Sequence, residues 1–142
     1  QRCVRSMCRC MPLLDGGARV TYSSDIVSDM EWQTHRANPY LGMDIGHNRI
    51  ELEWGPEALV RPPALDRLDR KDLVIGYTRD ASYQLGLQAK LGSIEVGKTA
   101  DLLVLDQNLF EVALQQSTSV LPEAVILDGA IVSGSLENFA VQ

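Results

Sequence analysis

Gly17-Ala-Arg-Val-Thr-Tyr-Ser-Ser-Asp25-Ile-Val-Ser-Asp29 sets the fold expectation for this chain, because a short apolar run ends directly in Ser-Ser-Asp. Ala18, Val20 and Tyr22 lie between Gly16-Gly17 and the polar pair Ser23-Ser24. A fully buried strand reads in this way, as a short apolar or β-branched segment bounded by turn residues. In an α/β barrel such a strand delivers its last residues to the rim, where catalytic groups sit. Asp25 is the carboxylate this strand would deliver. The same residues also suit a turn or a helix N-cap, where Ser and Asp are favoured for their local hydrogen bonds. Taken alone the local pattern favours the cap, so the surrounding chain has to decide.

Upstream, Arg2, Arg5 and Arg9 lie opposite Val4, Met7, Cys8 and Met11 at helical spacing, the polar and apolar faces of an amphipathic helix over Arg2–Leu14. Asp15-Gly16-Gly17 stops it, since glycine takes the left-handed cap conformation at little cost. Downstream, Asn38-Pro39 opens a second helix with a cap residue followed by proline at the first position. Ile50 to Pro63 reads as an insertion-like loop, broken by Pro56, Pro62 and Pro63. Asp69 and Asp72 mark a further helix start, and Leu73, Tyr77, Ala81 and Leu85 recur at helical spacing. Gly76 is the expected interruption of this helical pair or kinked helix and Gly86 its stop. Beyond Leu91 the period becomes strand-like: Ala100–Leu105 is one strand, and Val125-Ile-Leu-Asp128-Gly129-Ala-Ile-Val132 is a hairpin whose Asp-Gly suits a type I′ turn.

The chain has 142 residues, of which 45% are hydrophobic and 23% charged, enough for one domain with a core. A formal net charge of -6 argues against nucleic-acid binding, which needs clustered cations to replace phosphate counterions. No window approaches the length of a membrane span, and Gln1-Arg-Cys-Val-Arg lacks the apolar core of a signal peptide. The chain opens inside what reads as a helix, so its start does not decide targeting, and a cytoplasmic place stands as an expectation only. Cys3, Cys8 and Cys10 lack CxxC spacing and an adjacent histidine, which favours reduced thiols over a zinc knuckle.

In order, Leu13-Leu-Asp-Gly-Gly-Ala-Arg-Val with Ser24-Asp25, Asn38-Pro-Tyr-Leu-Gly with Arg49, Thr78-Arg-Asp-Ala-Ser-Tyr-Gln-Leu-Gly86, Leu91-Gly-Ser-Ile-Glu-Val-Gly-Lys-Thr-Ala-Asp-Leu-Leu-Val-Leu-Asp106 and Val125–Val132 resemble the C-terminal part of the amidohydrolase superfamily, family-3 type. Gly92-Ser-Ile-Glu-Val-Gly-Lys-Thr-Ala-Asp101 is the most specific of these elements. The resemblance implies a metal-dependent hydrolase acting on a carbon-nitrogen, amide-like bond of a small-molecule substrate. Its fold class would be α/β: a C-terminal fragment of a (β/α)8 TIM barrel, contributing the last strand and helices, plus part of a small β-sandwich. Residues 1–91 would belong to the barrel and its trailing helices, and residues 92–142 to the sandwich.

In that family the aspartate after strand eight binds the metal and handles the proton of the attacking water, and Asp25 matches it as catalytic residue and metal ligand. The other ligands are a His-x-His on strand one, a Lys or Glu on strand four, and histidines on strands five and six. The two histidines here, His35 and His47, match none of them. The chain is therefore expected to act with a missing N-terminal part of the same polypeptide, which would hold a divalent metal, zinc by expectation. Alone it would be inactive and bind no metal tightly. A homo-oligomer is an open expectation, and neither nucleic acid nor a membrane is expected as a partner.

His35 and Trp32, in the loop after Asp25, are the substrate-binding candidates, against the plainer readings of a surface histidine and an aromatic that packs the loop down. His47 is expected to be solvated, Arg49 to form a structural salt bridge, and Lys98 and Asp101 to shape a sandwich turn. Ser23-Ser24-Asp25 stands where the family has Gly-Ser-Asp, and Ile26-Val27 where an aromatic-Pro commonly follows. The alternative is a non-catalytic β-rich interaction or regulatory module derived from the amidohydrolase fold.

Overall fold

The glycine stop after the first helix is present in the computed structural model, which describes residues 10–23, 38–54, 68–113 and 116–137. Helix α1 (Met11–Asp15) ends at Gly16, and Gly17 takes a positive φ of 79°. The Arg2–Cys10 part of the expected helix falls largely outside the described residues; Cys10, Met11 and Leu14 pack against the core.

Helix α2 (Pro39–Trp54) starts at the expected cap: the Asn38 Oδ1 accepts a hydrogen bond of 2.9 Å from the Tyr40 backbone N–H. It runs four residues past the expected loop start at Ile50. Ile50-Glu-Leu-Glu-Trp54 contains no breaker, and the helix continues until Gly55-Pro56, where the residue before proline disfavours helical backbone. Helix α3 (Arg70–Tyr77) is capped by Asp69, whose carboxylate accepts from the Lys71 N–H at 3.1 Å. Helix α4 (Arg79–Gln84) follows after a break at Thr78 (φ -120°, ψ -90°), two residues beyond the expected interruption at Gly76. Gly86 then stops the pair with a φ of 72°.

Close approach fixes how α2 meets α3. Gly42 and Gly46 lie one turn apart, and a Cβ on either would meet Tyr77 or Leu73: 2.2 Å from the Tyr77 hydroxyl oxygen at position 42, 2.9 Å from Leu73 Cδ2 at position 46. Leu73 is fully buried there, in a core with Tyr40, Met43, Leu68, Leu109 and Val120. Arg70, buried at the start of α3, donates from its guanidinium to the Leu109 carbonyl at 2.9 Å and to the Val112 carbonyl. This cation satisfies carbonyls of an irregular segment that has no strand partner of its own.

The C-terminal part is a three-stranded antiparallel sheet of β1 (Leu102–Leu105), β2 (Pro122–Leu127) and β3 (Ala130–Gly134), paired in that order. Leu103 pairs with Val125, and Val125 with Ser133. Asp128 and Gly129 both take positive φ, 50° and 79°, as a type I′ turn requires. The Asp101 carboxylate accepts from the Asp128 N–H at 2.8 Å, and Gly129 N–H donates to the Ala100 carbonyl, fastening the hairpin tip to the chain entering β1. The described residues thus combine helices with a small antiparallel sheet. Ala18–Tyr22, expected as a strand, forms neither helix nor strand, because among the described residues the paired strands are β1 to β3 and none lies beside it.

Gly42→Ala should be destabilising even though alanine favours helix by about 1 kcal/mol over glycine. The Tyr77 ring must move to admit the new methyl, and overpacking of this kind costs about 1–3 kcal/mol. Urea midpoints of the two proteins measure the difference, and an unchanged or raised midpoint would contradict the close packing of α2 on α3.

Candidate active site

Residues 18–23, the lead into Ser24-Asp25, are joined to α3 and α4 by side chains. Their alternation is that of extended chain, in which successive side chains point to opposite sides. The odd-numbered residues reach α4. Arg19 sits 3.5 Å from the Asp80 carboxylate and lies over the Tyr83 ring at 3.9 Å, while the Thr21 hydroxyl donates to Gln84 Oε1 at 2.6 Å. Tyr22 turns to α3, its ring centroid 5.5 Å from that of Tyr77. It also lies across Gly76, where a Cβ would stand 2.2 Å from Tyr22 Cε2 and 2.8 Å from the Val20 carbonyl oxygen.

Asp80 is 4% exposed and shared between two cations, Arg19 and its neighbour Arg79, whose Nε lies 3.0 Å away. Arg19 is half exposed, so its ion pair is worth about 0.2–1 kcal/mol after solvent screening, and its contact with Tyr83 about 0.5–1 kcal/mol. Removing both cations would strand a buried carboxylate, a far larger penalty than either contact's worth. Within α4 the Ser82 hydroxyl donates to the Arg79 carbonyl at 2.7 Å.

Sequence reasoning overlooked Arg19 and Asp80. Their signal was a cation inside an apolar run and an acid on a helix expected to be amphipathic.

The expected site residues Asp25, Trp32 and His35 lie outside the described residues, as does the Arg49 side chain. His47 corrects the expectation of a solvated residue: it is half-buried on α2, and its Nδ1 is hydrogen-bonded to the Leu68 carbonyl, linking α2 to the chain that enters α3. Lys98 has the turn-shaping contacts expected of it. Its ammonium donates to the Ser93 hydroxyl at 2.6 Å and pairs with Glu95 at 3.4 Å, and hydrogen bonds from Ser93 and Lys98 hold the Glu95 carboxyl below the usual range. Among the described residues no group of three or more His, Cys, Asp or Glu side chains could hold a metal ion, so these residues do not by themselves fit a metal centre. No helix among them is long and apolar enough to cross a membrane.

The sequence profile of the Amidohydrolase family matches residues 4–133. The chain belongs to this family. Proteins of this family are hydrolases and are generally metal-dependent. An amidohydrolase of known crystal structure, from Thermotoga maritima MSB8, is similar at 19% identity and a TM-score of 0.44, over 94% of this chain and 34% of the other. The chain therefore spans about a third of that protein's length. None of the curated proteins matches it.

Two tyrosines of the helical part titrate abnormally. Burial raises the Tyr77 phenol above 10.0; burial and then the charge of Asp106 raise that of Tyr40, whose buried hydroxyl finds no hydrogen-bond partner among the described residues. The native state keeps both neutral where the unfolded chain ionises them, so their contribution is intact below pH 10 and is lost as pH rises through the elevated native values. Urea midpoints should fall between pH 9 and 11, and fall less in a Tyr40→Phe, Tyr77→Phe double variant. Equal losses in both proteins would contradict the assignment.

Proposed function

We propose that this chain is the C-terminal portion of a metal-dependent amidohydrolase that cleaves a carbon-nitrogen, amide-like bond in a small molecule. The observation that carries the reading is the family match over residues 4–133; within that stretch Ser23-Ser24-Asp25 resembles the motif of the family's strand-eight aspartate. Residues 1–91 are assigned to the end of a (β/α)8 barrel and residues 92–142 to part of a β-sandwich. The sheet suits that assignment, since Leu103, Leu127, Ile131 and Val132 are all about half exposed and form apolar surface fit for covering. The remaining ligands of the metal, zinc in this reading, would come from the preceding part of the same polypeptide.

The chemistry assigned to the chain itself is proton transfer. Water attacking an amide carbonyl must lose a proton as the tetrahedral centre forms, and the departing nitrogen must gain one as the carbon-nitrogen bond breaks. A single carboxylate on the attacking side performs both, accepting from water and then donating to nitrogen, and Asp25 is that carboxylate. Trp32 and His35, seven and ten residues further along, are assigned to the substrate pocket. The isolated chain would hold one ligand and no complete centre.

The purified 142-residue chain, supplied with zinc and a small acyl-anilide whose freed aniline absorbs, should show neither turnover nor stoichiometric zinc. Both together would overturn the assignment to a larger enzyme.

In the complete polypeptide, Asp25→Asn should lower turnover of the same probe by about two to four orders of magnitude, the usual worth of general-base catalysis, with little change in Tm. If Asp25 is only a cap, asparagine will serve as well as aspartate, and only Asp25→Ala will lose stability, by about 1 kcal/mol. Near-normal turnover in the Asn variant would remove Asp25 from the chemistry.

A further inference from the structure

We draw no further inference here: the strongest candidate, the apolar surface of the three-stranded sheet formed by Leu103, Leu127, Ile131 and Val132, each about half exposed, carries nothing, because nothing in the structure shows what covers it.

Discussion

The absence of a side chain at residue 76 is the constraint on which the helical part depends. Tyr22 and the Val20 carbonyl occupy the space where any other residue would carry its Cβ. The N-terminal segment can therefore lie directly on α3, more than 50 residues further along the chain. Helix α2 approaches the same helix from another side through Gly42 and Gly46. Helix α3 thus serves as the common support, with two glycines of α2 and one of its own allowing backbones to come close. Such contacts are unforgiving, because interiors packed at crystal-like density transmit the displacement of a single methyl to their neighbours.

Polar groups then fix what close packing leaves free. Arg70 spans from the first turn of α3 to the Leu109 and Val112 carbonyls, and His47 spans from α2 to the Leu68 carbonyl. Each supplies a hydrogen bond to backbone that belongs to neither a helix ladder nor a sheet. Burying such a carbonyl unpaired costs about 1–3 kcal/mol, whereas a paired one is near neutral. These side chains therefore choose among packings of similar apolar burial more than they add to total stability. Arg19, paired with Asp80, likewise joins residues 18–23 to α4.

How far the sequence revealed this depends on the range over which each element is decided. Asn38-Pro39, Asp69 and Asp128-Gly129 act within three or four residues, and the capping bonds, helix starts and positive φ pair are where their residue types require. Helix α2 runs to Trp54, past its expected end at Ile50, because the breakers begin only at Gly55-Pro56. Ala18–Tyr22 was decided at long range. Arg19 and Thr21 reach α4 and Tyr22 reaches α3, yet a strand is a property of a pair, and no residue in the run can specify the neighbour. His47 was misread for the same reason: its partner is a carbonyl 21 residues away. Of the candidate site, the approach through residues 18–23 is placed, while Asp25, Trp32 and His35 lie outside the described residues.

The residues that reveal the family and those that would perform its chemistry are different sets. Gly92-Ser-Ile-Glu-Val-Gly-Lys98 is recognisable because a turn with Gly92 and Gly97 at positive φ, closed by Ser93, Glu95 and Lys98, tolerates few substitutions. Those restraints are geometric, and they would persist in a relative that had lost all activity. A fold can host many functions, whereas a reaction is specified by the few groups that touch the reacting atoms. For this chain the proposed reading puts that distinction within residues 18–25. Arg19 and Tyr22 hold the segment on α4 and α3 by contacts any scaffold can use, and on that reading the carboxylate three residues beyond Tyr22 would be the group that performs the chemistry.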